Sequence, residues 1–109
     1  MITITFFQNH EGKQLGFSSL GHAEYADAGL DIVCAGVSAL VINTINSIDE
    51  LTSAEFDLET EQETGEIRFS LHRPASDDAD LLIQSLILGL KGIQKDYGDE
   101  YLVLDFKEV

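Results

Sequence analysis

A thiol and an imidazole twelve residues apart are the groups in this chain best suited to covalent chemistry. The cysteine is Cys34, the only one in 109 residues, and the histidine nearest to it in sequence is His22. Only a thiolate is a strong nucleophile, and a free thiol ionises near pH ~8.5. A neighbouring imidazole can take the thiol proton and hold a thiolate–imidazolium pair. The segment Gly21-His22-Ala23-Glu24-Tyr25-Ala26-Asp27-Ala28-Gly29-Leu30-Asp31-Ile32-Val33-Cys34 reads as a strand end, a glycine-bounded loop and a helix start. With Asp31 as N-cap, Cys34 becomes the third helical residue. There, unpaired N–H groups and the helix dipole favour an anionic sulfur and a developing oxyanion. The charge of Asp31 opposes the thiolate unless capping bonds hold its carboxylate away. On a helical wheel Cys34 lies beside the apolar stripe, which predicts partial exposure. Ser38, one turn further on, either orients His22 or the sulfur by hydrogen bonding, or packs as a small residue. The plainer alternative for Cys34 is a buried, inert side chain. His10 and His72 read as surface residues. No two histidines have metal-ligand spacing, so neither a metal nor a cofactor is expected.

The elements that must position these groups follow from hydrophobic period. Ile2, Ile4 and Phe6 alternate with Thr3 and Thr5 as a strand, Asn9 to Gly12 turns the chain, and Gln14 to Leu20 completes a hairpin. Val33, Val37, Leu40, Thr44 and Ile48 make a helical stripe over about residues 32–48. Glu55, Asp57, Glu59, Glu61 and Glu63 share one strand face and Phe56 and Leu58 the other. Thr64-Gly65 turns into a partner strand with Ile67, Phe69 and Leu71. Ser76 is placed to cap a second helix, with Asp77, Asp78 and Asp80 at its positive end, Leu82, Leu86, Ile93 and Tyr97 running through it, and Gly98 ending it. Gly89 and Gly92, inside that helix, either permit close helix packing or are merely tolerated. Leu102, Leu104 and Phe106 suggest a last strand. The order ββαββαβ predicts an α+β fold, with two helices packed on a mixed or antiparallel sheet, in a single domain over residues 1–109.

Composition narrows the function further. With 20 acidic and 6 basic residues the net charge is −14. Basic residues scattered from Lys13 to Lys107 offer no patch for phosphates, which argues against nucleic acid and against an anionic membrane. A basic protein partner is attracted, although acidity also serves solubility alone. A lone cysteine excludes an internal disulfide and a cysteine-rich zinc site. No apolar run is expected to reach the ~20 residues of a membrane span. The start, Met1 to Thr5, has no basic flank or signal-peptide core. The expectation is a soluble cytoplasmic protein.

The pattern G-H-A-x-Y-A-x-x-G-x-D-I-V-C-A-x-V-S-A-L over residues 21–40 resembles the signature of the bacterial ribosomal-processing cysteine protease family, known as Prp or YsxB-like. The resemblance extends over the whole chain, in length, element order and acidity, with departures at Glu24 and Gly36. It implies removal of a short N-terminal extension from large-subunit ribosomal protein twenty-seven, in support of ribosome assembly. It implies Cys34 as nucleophile and His22 as general acid–base, with Gly21, Asp31 and Ser38 matching further family positions. It also implies a substrate-covering loop at Ala23, Glu24, Tyr25, Ala26, Asp27, Ala28, Gly29 and Leu30, and a homodimer. Tyr25 and Leu30 are the expected contacts for substrate aromatics. Two other classes compete. One is an acidic, non-enzymatic module that captures a basic protein on the Glu55–Glu63 face, with Cys34 structural. The other is a different thiol chemistry such as thioester hydrolysis; redox sensing is weakened by the lack of a resolving cysteine.

Overall fold

The alternating Ile2, Ile4 and Phe6 do form a strand, and it lies near the middle of the sheet. The computed structural model describes residues 1–21 and 28–109, with the side chains of 28–31 left out of the description. Its elements are β1 (Ile2–Gln8), β2 (Gln14–Leu20), α1 (Ala28–Leu51), β3 (Phe56–Glu61), β4 (Glu66–Leu71), α2 (Asp77–Tyr97) and β5 (Leu102–Glu108). The strands make one mixed sheet in the order β3-β4-β2-β1-β5. Only the β1–β5 pairing is parallel; the β1–β2, β2–β4 and β3–β4 pairings are antiparallel. The predicted ββαββαβ order and mixed sheet are what the structure has.

Turn chemistry fixes the first hairpin. Asn9 Oδ1 accepts from the Glu11 and Lys13 N–H groups at 3.0 and 2.9 Å, which holds the bend in place. One row of inward side chains crosses the sheet as Leu58, Phe69, Phe17, Phe6 and Phe106. Its three middle rings are fully buried, and Phe69 also packs on Phe56 with centroids 4.7 Å apart. Over this face lie Val33, Val37, Val41, Ile45 and Ile48 from α1 and Ile83, Leu86, Ile87 and Leu90 from α2.

α1 runs from Ala28 to Leu51, longer at both ends than its stripe predicts. Its Ile32–Leu51 stretch is 20 residues of mean hydropathy 1.5, so by length and composition an apolar run of membrane-spanning size does exist. That corrects the expectation from sequence. The physical reason for its apolarity is the core, since Val33, Val37, Val41 and Ile48 are buried while Asn43, Asn46, Asp49 and Glu50 face outward. Thr44 is buried without penalty because its hydroxyl donates to the Leu40 carbonyl at 2.8 Å.

In α2 the buried centre is Ala79, Ile83, Leu86, Ile87 and Leu90. The predicted stripe is displaced from it, and Tyr97 is exposed. Ser76 stands at the N-cap position in extended conformation but does not cap. Its hydroxyl donates to Asp78 at 2.6 Å, and Asp78 accepts the Ala79 N–H at 2.7 Å. Those two bonds hold the Asp78 carboxyl below its usual range. Gly98 ends the helix, its N–H reaching the Gln94 carbonyl at 2.8 Å.

The two helix glycines differ. A methyl at Gly89 would meet Leu40 of α1, so Gly89 admits close packing between the helices. A methyl at Gly92 would meet nothing within 4 Å. Gly92→Ala is therefore expected to stabilise the fold by about 1 kcal/mol, read as a raised urea midpoint with unchanged slope.

Candidate active site

Cys34 is a free, half-buried cysteine on α1 that packs against the edge of the core. Its surroundings follow from helix geometry. Each residue turns the helix by about 100°, so Gly36 and Leu40 lie roughly 120–160° from Cys34. Those two positions face α2, where they meet Ile93 and Gly89. The thiol is therefore on the flank of α1 turned away from α2. α2 itself sits over the β5 side of the sheet, with Gln94 bonded to the Leu102 carbonyl at 2.9 Å and Lys91 over the Phe106 ring. The Cys34 flank accordingly looks toward the β4–β3 side. Ser38 follows it about 40° further round and is exposed, where its hydroxyl is available to a bound group.

The helix start departs from expectation. α1 is already formed at Ala28, so Asp31 lies within its first turn and is not the N-cap. Cys34 is the seventh helical residue, not the third. Free N–H groups and the dipole's effect are confined to the first turn. The Cys34 N–H is a full turn too deep to serve as an oxyanion donor, and helix-start activation of the sulfur falls with it. Ala28, Gly29 and Leu30, expected in the substrate loop, belong to the helix. The physical reason is propensity: alanine and leucine are among the best helix formers, and one glycine costs only about 1 kcal/mol.

His22, Ala23, Glu24, Tyr25, Ala26 and Asp27 lie outside the described residues, so their predicted roles have no geometry here. The anchor before them is described. Gly21 follows β2 with φ +104°, and a Cβ at this position would collide with the Met1 carbonyl oxygen. Only glycine suits that backbone and that approach.

The acidic face of β3 is partly compensated. Arg68 pairs with Glu59 at 2.9 Å and with Glu66 at 3.2 Å. His72, read as an ordinary surface residue, has its Nε2 at 3.0 Å from Asp57 and its Nδ1 at 3.8 Å from Glu55. These pairs are solvent-exposed and contribute little to stability. Beside them is a cavity of about 290 Å³ lined by Ser53, Glu55, Leu71, His72, Pro74 and Ser76; the Ser76 hydroxyl donates to Asp78, and the His72 ring faces Asp57 and Glu55. Among the described residues no cluster of metal-ligating side chains forms.

Residues 1–102 match the family model described as Cysteine protease Prp. The chain belongs to the cysteine protease Prp family. The ribosomal processing cysteine protease Prp of Bacillus subtilis (strain 168) is 36% identical over 107 residues, covering 94% of this chain and 96% of the relative. That of Staphylococcus aureus (strain NCTC 8325 / PS 47) is 34% identical, covering 98% and 100%. The crystal structure of S. aureus Prp with a substrate peptide superposes with a TM-score of 0.90 at 33% identity, again covering 98% of this chain and 100% of the other. A second S. aureus Prp structure, with a covalently linked product peptide, gives 0.87 at 34% identity over the same shares. Prp membership makes this chain a cysteine protease, and the acidic face does not displace that activity.

Proposed function

We propose that this Prp-family protease removes the N-terminal extension of large-subunit ribosomal protein twenty-seven, in the cytoplasm and as a homodimer, in support of ribosome assembly. The observation that carries the chemistry is arithmetic: a cysteine protease with one cysteine has one candidate nucleophile, Cys34. It is half-buried on a helix flank rather than sealed in the core. A peptide linked covalently to the S. aureus relative fits an acyl-enzyme or related adduct on such a thiol. The name of the relatives supports a ribosomal substrate. The net charge of −14 suits a basic substrate, and a ribosomal protein, whose natural ligand is RNA, is rich in lysine and arginine.

In the reaction His22 takes the Cys34 proton, and the sulfur attacks the scissile carbonyl. The C–N bond then breaks, His22 protonates the departing amine, and a thioester remains. Water, deprotonated by His22, attacks the thioester carbon and returns the thiol and a free carboxylate. Gly21 sets where the chain leaves β2 toward His22. Ser38, exposed one turn beyond the thiol, is the residue we assign to hold either partner by hydrogen bonding.

The test is a cleavage assay on the extended ribosomal protein read by intact-protein mass spectrometry. One new amine terminus and loss of the extension are the expected result. An untouched substrate overturns the assignment. Light scattering on the eluting protein tests the dimer separately.

A further inference from the structure

Charge is spread unevenly over this chain. Although 24% of its residues are charged, α1 runs from Ile32 to Ile48 and α2 from Leu81 to Leu90 without a charged side chain. Burial accounts for only one side of each stretch. Val33, Val37, Val41 and Ile48 of α1 and Ile83, Leu86, Ile87 and Leu90 of α2 belong to the core. Ala39 and Asn46, turned about 160–180° from Val37, are exposed, as are Ala35 and Ile42 beside them. The matching surface of α2 is Leu81, Ser85, Leu88 and Gly92, all exposed. Ile32 is 53%, Ile42 51%, Leu81 69% and Leu88 73% exposed. The two surfaces adjoin, because Gly36 and Leu40 of α1 meet Ile93 and Gly89 of α2. Together they make one uncharged face over the helix pair. The helix-free face of the sheet, by contrast, carries Asp57, Glu59, Glu66, Arg68, Asp105 and Lys107.

We propose that this face seats the same face of a second copy of the chain, in an antiparallel, twofold-symmetric contact. The inference rests on the homodimer reading and goes beyond it by naming the surface. Two copies of net charge −14 repel each other, and a contact through the helix-free face of the sheet would bury carboxylates between them. The helix face brings no charge into the centre of the contact, where protein interfaces are depleted of it. It also carries both halves of a fit. Ile32, Ile42, Leu81 and Leu88 project beside the small Ala35, Ala39, Ser85 and Gly92, and an added methyl at Gly92 would meet nothing within 4 Å. An isologous contact needs such a self-complementary surface. The ends of the face agree with a reversed partner. Exposed Lys95, beside Asp96, stands at one end, and exposed Glu50 and Asp77 stand at the other. Reversal sets Lys95 against the partner's Glu50 and the partner's Asp77. A basic protein would find no carboxylate at the centre of this face. Ala39 lies about 140° round α1 from Cys34, so the contact leaves the thiol open.

The experiment is sedimentation equilibrium over a wide range of protein concentration on wild type, Ala39→Glu, Leu88→Glu and Val109→Glu. Each variant adds one negative charge at an exposed position. Val109 is 68% exposed beyond the end of β5, off the helix face, and serves as the control. Ala39→Glu and Leu88→Glu are each expected to raise the dimer Kd at least about tenfold, while Val109→Glu dimerises as wild type does. Far-UV circular dichroism equal to that of wild type shows that each variant folds, and either helix variant alone suffices for the comparison. An unchanged Kd in a folded Ala39→Glu or Leu88→Glu overturns the face and leaves the homodimer standing. A wild type that is monomeric at every concentration overturns both. Flotation of that monomer with phosphatidylcholine vesicles, lost in Leu88→Glu, would assign the face to lipid instead.

Discussion

Cys34→Ala is expected to lower processing of the extended ribosomal protein by at least about 10⁴-fold while the fold survives. Two features separate this outcome from a structural effect. The side chain is half-buried at the core's edge, so deleting its sulfur opens no sealed cavity. The stability loss should be about 1 kcal/mol or less, visible as a shift of a few degrees in thermal midpoint. Activity loss of four decades cannot arise from that, because the folded fraction barely changes. Substrate affinity should persist, since the exposed surface round the thiol, Ser38 and Ile42 included, is unaltered. Fluorescence anisotropy with a labelled extension peptide measures that affinity, and stopped aliquots by mass spectrometry measure turnover. Residual cleavage near the wild-type rate would sink the nucleophile assignment. Loss of binding together with loss of cleavage would mean that Cys34 shapes the site rather than reacting in it.

What the sequence disclosed differed between the sheet and the helix that carries the thiol. Ile2, Ile4 and Phe6 alternate cleanly with polar residues, and a period of two leaves little room for another reading. The acidic alternation from Glu55 to Glu63 is equally plain, and β3 follows it over Phe56–Glu61. The start of α1 was harder. Asp31 is a good N-cap residue, and the stretch of small residues before it resembles a loop. Yet Ala28 and Leu30 favour helix, and packing of the apolar face of α1 stabilises an extra turn that local signals alone would end. That one-turn difference moves Cys34 from the helix start to its interior and changes the account of how its sulfur is activated.

The site was legible in part for a related reason. A lone cysteine stands out in a chain of this composition, and its place beside the apolar stripe predicted the half-burial seen. The exposed apolar residues Leu58 and Ile42 did not stand out. Leu58 on a strand and Ile42 on a helix look like core residues until the strand order is known. Only β3 at the sheet edge, and α2 displaced toward β5, leave them open. Exposure of that kind is a tertiary fact, set by how many strands two helices can cover.

Gly21→Ala is expected to damage the enzyme twice. The residue sits at φ +104°, where an L side chain is strained, and its new methyl would strike the Met1 carbonyl oxygen. That oxygen cannot easily retreat. The next residue, Ile2, donates its N–H to the Tyr101 carbonyl at 2.9 Å and pairs with Leu102 in the β1–β5 ladder. The chain at residue 21 must therefore move, at a cost of about 1–3 kcal/mol. His22, the proposed base, is the next residue in the chain, so on that proposal the displacement is passed to it directly. A shift of about 1 Å in a reacting group costs on the order of 10² in kcat. Gly12→Ala separates the two effects. Gly12 also has positive φ, +81°, but sits in the β1–β2 turn with nothing within 4 Å of an added methyl. It should lose stability from backbone strain and keep its kcat. Gly21→Ala should lose both, with kcat falling far more than the folded fraction. Thermal midpoints and kcat measured on the three proteins at one temperature, well below every midpoint, make the comparison. A kcat for Gly21→Ala equal to that of Gly12→Ala would show that the backbone at residue 21 supports the sheet end alone and does not position the base.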